Sequence, residues 1–240
     1  MTAEGQNAPQ ALLFDVQGTA TDFHNTVCSA ARRICGDRYP HIEWAHFVQR
    51  WRTGYFAALE STTPDRNNWI TVHSVYRDLL DSLLDQYGIT DVTAAEREEL
   101  TLSWQRLDPW PDVVPALARL RKQFTLATLS NADVAAVVNI SKRANLRWDA
   151  VFAAEMAGVF KPDPSVYRLA ARYLGLSPTK IMMVASHKYD IRAAGSLGFQ
   201  TAFVARPMEF GTAGTADTGY DGAFDINASD FLDLADQLGC

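Results

Sequence analysis

The chain has little cysteine: three residues in 240, Cys28, Cys35 and Cys240, an odd set with no paired metal-ligand spacing. That excludes a disulfide framework and a cysteine-based metal site, and the thiols read as reduced. Neither Cys28 nor Cys35, seven residues apart on an expected helix, has a neighbourhood rich in His or Lys, which disfavours a catalytic thiol. Excess positive charge is also missing. Lys and Arg number 22 against 28 Asp and Glu, a net charge of −6, which gives no general attraction to nucleic acid or an anionic membrane. No apolar run approaches the roughly 18 residues that a bilayer span needs, and Met1 to Gln10 lacks the basic and apolar regions of a signal peptide. A cytoplasmic protein with no nucleic-acid or membrane partner is expected. There is no internal repeat and no low-complexity tract. What is present is ordinary globular material, 48% apolar and 21% charged, in a chain long enough to be an enzyme.

The informative stretch lies near the start, Ala11-Leu12-Leu13-Phe14-Asp15-Val16-Gln17-Gly18-Thr19. Four apolar residues are too few for a helix and read as a buried strand, which delivers Asp15 to a loop with Gly18 and Thr19. From about residue 26 the pattern is helical, with stretches at 26–36, 42–60, 67–88 and 94–106, and with Trp44, Phe47, Trp51, Tyr55 and Leu59 recurring every three or four residues. Glu60 to Asn68 is a polar turn segment and Gly88 to Asp91 closes one helix before the next.

From Trp110-Pro111-Asp112 onward, helices alternate with short apolar runs. Helices at 112–122, 132–144, 164–174 and 189–197 lead to strands at 124–129, 150–154, 180–184 and 201–204, and Gly222 to Ile226 adds an edge strand before a last helix at 228–238. Met208 to Asp221, rich in Gly and Thr, reads as a surface loop. The fold class is therefore α/β, a Rossmann-like parallel sheet with helices on both faces and an inserted all-helical cap. The expected boundaries are 8–23 and 108–240 for the core and 24–107 for the cap, whose aromatic helices offer surfaces for a homodimer.

Polar residues stand where the apolar strands stop: Asp15, then Ser130 and Asn131, Lys161, and Ser186, His187 and Asp190. In a parallel sheet these ends converge on one crevice. In this order and spacing, Phe14-Asp15-Val16-Gln17-Gly18-Thr19, Trp51-Arg52, Leu129-Ser130-Asn131, Lys161-Pro162-Asp163-Pro164-Ser165-Val166-Tyr167 and Val184-Ala185-Ser186-His187-Lys188-Tyr189-Asp190 resemble the haloacid dehalogenase superfamily. The closest likeness is to its L-2-haloacid dehalogenases, the type II enzymes. The resemblance implies a covalent hydrolase with Asp15 as nucleophile. A carboxylate can attack carbon or phosphorus to give an ester that water then hydrolyses. By the same likeness Lys161 orients and neutralises Asp15, Thr19 and Ser130 hold carboxylate and substrate oxygens, and Asp190 assists Lys161 and the hydrolytic water. Arg52, Asn131, Gln17, Ser186, His187 and Tyr167 are implied around the substrate and leaving group. Tyr167 reads equally as a core aromatic, and Arg52 as a surface arginine with its stem packed on Trp51.

Phosphatases of the superfamily carry a second Asp two residues after the nucleophile and further acids that hold Mg²⁺. Here Gln17 occupies the first place and Ser186 one of the others, which weakens both metal binding and leaving-group protonation. The expectation is metal-independent, cofactor-independent hydrolysis of a small 2-substituted carboxylic acid, with water as co-substrate and (S)-2-haloacids foremost. A Mg²⁺-dependent phosphatase is the runner-up. Type II enzymes generally place an aromatic where Gln17 stands, and many place Asn where His187 stands. These departures leave room for a different leaving group, such as the ring nitrogen of a strained cyclic amino acid like azetidine-2-carboxylate, with His187 or Gln17 stabilising or protonating the amine. A non-catalytic binding module on the same fold is the remaining alternative.

Overall fold

The computed structural model describes residues 8–61, 69–212 and 214–240. Among these, the core is built from β1 (Ala11–Phe14), α5 (Val113–Leu120), β4 (Thr125–Ser130), α6 (Val134–Arg143), β5 (Ala150–Ala153), α7 (Pro164–Leu174), β6 (Ile181–Ala185), α8 (Lys188–Ser196), β7 (Gln200–Val204), β8 (Ile226–Ala228) and α9 (Phe231–Gln237). Between β1 and α5 lie β2 (Thr21–Asp22), α1 (Phe23–Cys35), α2 (Trp44–Ser61), α3 (Val72–Gln86), α4 (Ala94–Leu102) and β3 (Asp108–Pro109). The main sheet has the order β5-β4-β1-β6-β7-β8, with every pairing parallel.

β1 is central because nothing in it is polar: all four side chains are buried, as expected for a strand covered on both faces. Alternate residues serve the two layers. Leu12 and Phe14 pack with α5, α6 and α9, whereas Ala11 and Leu13 pack with α7 and α8. Phe14 meets the rings of Trp148 and Phe231, each at 5.3 Å between centroids, and burial of such a side chain contributes about 1.5–3 kcal/mol. The register sets Phe14 opposite Thr128 on one neighbour and Val184 on the other. Asp15 therefore leaves β1 level with Leu129 and Ala185, one residue before Ser130 and Ser186 on the two neighbouring strands.

The chain departs for the helical insert at β2 and returns at β3, and these two strands pair antiparallel, Thr21 with Pro109 and Asp22 with Asp108. Within the insert, helix ends are satisfied locally. Thr71 caps α3, and Thr93 with Glu96 forms a reciprocal capping box on α4. A core residue also holds α3: the Asp133 carboxylate accepts from the N–H groups of Val72 and His73, both at 2.9 Å, and from Trp69 Nε1 at 3.0 Å. This fastens the insert over the sheet's carboxyl ends.

Several expectations are corrected. The pair β2 and β3 is too short to leave a periodic signal. The helix expected over 67–88 begins at Val72, its first two positions lying outside the described residues, as do Met1 to Asn7 and 62–68 of the polar turn segment. The helix over 94–106 ends at Leu102 and passes into a 3₁₀ turn at Ser103–Gln105, and the edge strand is Ile226–Ala228 rather than Gly222 to Ile226. Trp44, Phe47, Trp51 and Tyr55, the aromatics of the α2 pattern, are buried within the chain. Within Met208 to Asp221, expected as a surface loop, Glu209 and Gly211 are instead buried against the β1 turn and α1. Among the described residues, no helix is long and apolar enough to cross a membrane.

Candidate active site

The chain turns sharply after Asp15. Gly18 has φ +93, a conformation that favours glycine, and the turn sends the N–H groups of Ala20 and Thr21 back to the Val16 carbonyl at 3.0 and 3.1 Å. Thr19 is thereby brought onto Asp15, its Oγ1 donating to Asp15 Oδ2 at 2.8 Å. The end of β6 fixes Thr19 in turn, because the Ser186 N–H donates to Thr19 Oγ1 and the Ser186 hydroxyl lies against it, each at 3.0 Å.

A lysine and a histidine flank Asp15. Lys161 Nζ lies 3.1 Å from Oδ1, and Nδ1 of His187 lies 3.3 Å from Oδ2. Ser130 Oγ is 3.5 Å from Oδ1. Lys161 also donates to Asp190 Oδ2, and Tyr167 donates its hydroxyl to Asp190 Oδ1 at 2.6 Å, so Asp190 anchors the lysine while Tyr167 anchors Asp190. Behind His187 stands a carboxylate, with Glu209 Oε1 at 2.8 Å from Nε2.

These contacts decide the charges. Burial opposes ionisation of Asp15, but the Lys161 ammonium and the His187 imidazole outweigh it and hold the carboxyl well below the usual range. Burial likewise opposes charge on Lys161, and Asp15 and Asp190 overcome it and raise its pKa. Burial favours neutral His187, yet Glu209 and Asp15 push it up to about 10. Asp190, fully buried, is raised by desolvation despite Lys161. At neutral pH the centre therefore holds an ionised Asp15 between an ammonium and an imidazolium.

Arg52 comes from α2. Its Nη1 donates to Gln17 Oε1 at 2.8 Å and to the Tyr76 hydroxyl at 2.7 Å, which ties the insert to the β1 turn. Its guanidinium lies 4.6–4.9 Å from the ring centroids of Phe23, Tyr55 and Phe56, an arrangement that stabilises a desolvated cation. Arg52 is buried, and its Nε has no protein partner. It is therefore not a surface arginine.

All eleven residues singled out from the sequence fall in this region, and two of those expected around the substrate, Asn131 and Tyr167, instead hold Lys161 and Asp190. The Asn131 side chain accepts from the Lys161 N–H at 2.7 Å and donates to the Lys161 carbonyl at 3.1 Å, so it holds the lysine's backbone. Tyr167 is fully buried on Asp190. Sequence reading missed Glu209 and Arg206. Arg206 Nε donates to the Thr19 carbonyl at 2.8 Å while its guanidinium makes two 2.9 Å bonds to Asp112. The one available signal was the Trp110-Pro111-Asp112 start of the second half, which marks Asp112 as a turn residue without revealing its partner.

A parallel sheet whose first strand presents an aspartate to a lysine from a later connection, covered by inserted helices, is the architecture of haloacid dehalogenase-like hydrolases, and the family model so described matches residues 9–198. This protein is a hydrolase of that class. More narrowly, it belongs to the L-2-haloacid dehalogenase family. It is 34% identical to the L-2-haloacid dehalogenase PA0810, whose crystal structure matches with a TM-score of 0.89 over 96% of this chain and 100% of that one. The defluorinating L-2-haloacid dehalogenase Rha0230 is 33% identical, with a TM-score of 0.89 over 97% of this chain and 96% of its own. The (S)-2-haloacid dehalogenase of Xanthobacter autotrophicus is 29% identical over 199 residues, 82% of this chain and 75% of that protein.

Proposed function

We propose that the protein hydrolyses (S)-2-haloacids through an ester on Asp15, within a core of 8–23 and 108–240 covered by a cap of 24–107. The observation that carries this reading is the buried Asp15 at the end of β1, held on one oxygen by Lys161 and Ser130 and on the other by His187 and Thr19. In the first step an Asp15 oxygen bonds to C2 of the substrate as the carbon–halogen bond breaks, and the halide leaves with the electron pair. In the second step water adds at the Asp15 carbonyl carbon, and the ester bond to the 2-hydroxy acid breaks. Arg52, with Gln17 beside it, supplies positive charge for the substrate carboxylate or the departing halide. Ser130 and Ser186 line the nucleophile, while Asn131, Tyr167 and Asp190 keep Lys161 in place.

The donor set argues against the phosphatase alternative. Gln17 and Ser186 are neutral at two of the places where phosphatases of the superfamily carry acids, which leaves fewer carboxylate oxygens for Mg²⁺ and no leaving-group acid at residue 17. Among the described residues, no cluster of three or more His, Cys, Asp and Glu side chains is arranged to hold a metal ion. Product release from L-2-chloropropionate and from a phosphate monoester, each with EDTA and with added Mg²⁺, tests the reading. Chloride release insensitive to EDTA is expected; phosphate release that requires Mg²⁺ would overturn it.

A second reading is favoured by His187. An imidazolium backed by a carboxylate can give its proton to the amine released when a strained cyclic amino acid is opened by Asp15. Formation of a primary amine from azetidine-2-carboxylate tests this, and no turnover of that compound by the pure protein would end it.

A further inference from the structure

Glu209 stands in none of the motifs that point to the active site, yet it is 3% exposed and built into the β1 turn. A Cβ on Gly18 would lie 2.3 Å from Glu209 Oε1, so this turn accommodates Glu209 only because residue 18 lacks a side chain. The segment carrying Glu209 is pinned on both sides. Arg206 binds the Thr19 carbonyl and Asp112, and Gly211 rests on the His24 ring, where a Cβ would lie 2.4 Å from Cε1. The carboxylate is therefore fixed relative to Asp15, and His187 bridges the two. Two aromatic rings stand near the His187 ring, Phe56 from α2 at 6.3 Å and the titratable Tyr189 from α8 at 6.0 Å between centroids, and Gly18 lies beside its Cε1. Its charged neighbours are Asp15 from the β1 end and Glu209 from the segment after β7.

We propose that Glu209 is a positioning residue for the hydrolytic half-reaction, holding His187 so that its Nδ1 becomes the proton acceptor for the water that attacks the Asp15 ester. The inference rests on the ester mechanism proposed above. Before reaction, Nδ1–H points at the Asp15 carboxylate and Nε2–H at Glu209. Once Asp15 is esterified, the negative charge facing Nδ1 is gone, and that proton passes to solvent or to a released amine. Neutral His187, still oriented by Glu209, then takes a proton from water as the water oxygen bonds to the Asp15 carbonyl carbon. When the tetrahedral intermediate collapses, the remaining hydroxyl proton goes to the departing 2-hydroxy acid oxygen, leaving Asp15 as carboxylate and His187 as imidazolium. One proton is released per turnover, as displacement of a halide by water requires. A base oriented by a third group is the usual arrangement for such a transfer.

The test is a rapid-quench measurement with L-2-chloropropionate on wild type, Glu209→Gln and His187→Gln, following the Asp15 adduct by intact mass across a pH series. In wild type the adduct forms, and its decay quickens with pH along a limb set by His187 in the ester state. In E209Q the adduct is expected to decay about 10-fold or more slowly, and the limb to move to lower pH, because the charge that favoured the imidazolium is gone. H187Q removes the acceptor, so its adduct is expected to persist about 100-fold longer; if E209Q does not fold, Glu209→Asp, which shortens the carboxylate's reach to Nε2, is measured in its place and is expected to slow the decay and move the limb in the same direction. A slower decay in E209Q with an unmoved limb would mean a merely structural role and overturn the proposal, as would an H187Q adduct no longer-lived than wild type's. Absence of any adduct in active wild type is a different failure, that of the ester mechanism itself.

Discussion

Replacing Lys161 by Met removes the cation between two buried carboxylates and leaves a side chain of similar length. Lys161 Nζ lies 3.1 Å from Asp15, an attraction of about 5 kcal/mol at an effective dielectric constant of about 20, and it makes a second ion pair with Asp190. The variant has a less costly way out than keeping both charges. Taking up a proton costs about 1.4 kcal/mol for each pH unit above a carboxyl's ordinary pKa. From the ordinary value of 3.8 that is about 4 kcal/mol at pH 7 and about 2 kcal/mol at pH 5. Protonation of one carboxyl therefore limits the damage, and the limit depends on pH. The sign follows directly: a carboxyl whose folded pKa is raised holds a proton that the unfolded chain has lost, so stability falls as pH rises through the window between the two values. In wild type Asp15 is depressed instead, and its contribution is lost only as pH falls below the ordinary range, while Asp190 is raised by burial in both proteins and without Lys161 is raised further. Urea unfolding of both proteins between pH 5 and pH 7 is expected to show a deficit in Lys161→Met that grows by about 2–3 kcal/mol across the window, together with loss of turnover, since the nucleophile is then protonated or displaced. A deficit that is flat with pH, or that grows on acidification, would refute the assignment of Lys161 as the counter-charge.

His187 gives the opposite window. Its folded pKa, about 10, lies above the ordinary 6.5, so its contribution is complete below about 6.5 and is lost as pH rises toward 10; thermal unfolding of His187→Asn is expected to depend less on pH over that range than wild type does. Gly18→Ala sets a Cβ 2.3 Å from Glu209 Oε1 at φ +93, and chemical denaturation is expected to register a loss of about 1–3 kcal/mol; unchanged stability would show that the turn relaxes freely. Asn131→Ala removes both bonds to the Lys161 backbone, with an expected cost of about 1–3 kcal/mol and a fall in kcat at nearly constant KM. A rise in KM alone would instead indicate a direct contact with substrate.

The part of the site legible from sequence was the part attached to strand ends. Asp15, Ser130, Ser186 and Asp190 could be grouped without coordinates because a parallel sheet brings its carboxyl ends together whatever the side chains do. The use each side chain makes of that position was not legible. Asn131 carries two amide donors and one acceptor that serve a ligand or a backbone equally well, and only the approach of the Lys161 segment decides between them. Arg206 and Glu209 were hidden for a related reason. Charged residues in a Gly- and Thr-rich stretch ordinarily face water, and burying them is favourable only where a partner waits. Those partners are Asp112 and His187, distant in sequence and on other elements. The nearest thing to a local trace is Gly18. A glycine three residues after a strand-end aspartate reads as a turn, which is true here, but the turn alone needs only the positive φ. The space beside Gly18 answers a second requirement, set by a carboxylate nearly two hundred residues away. One glycine thus meets a backbone constraint visible in the sequence and a packing constraint that appears only in the folded chain.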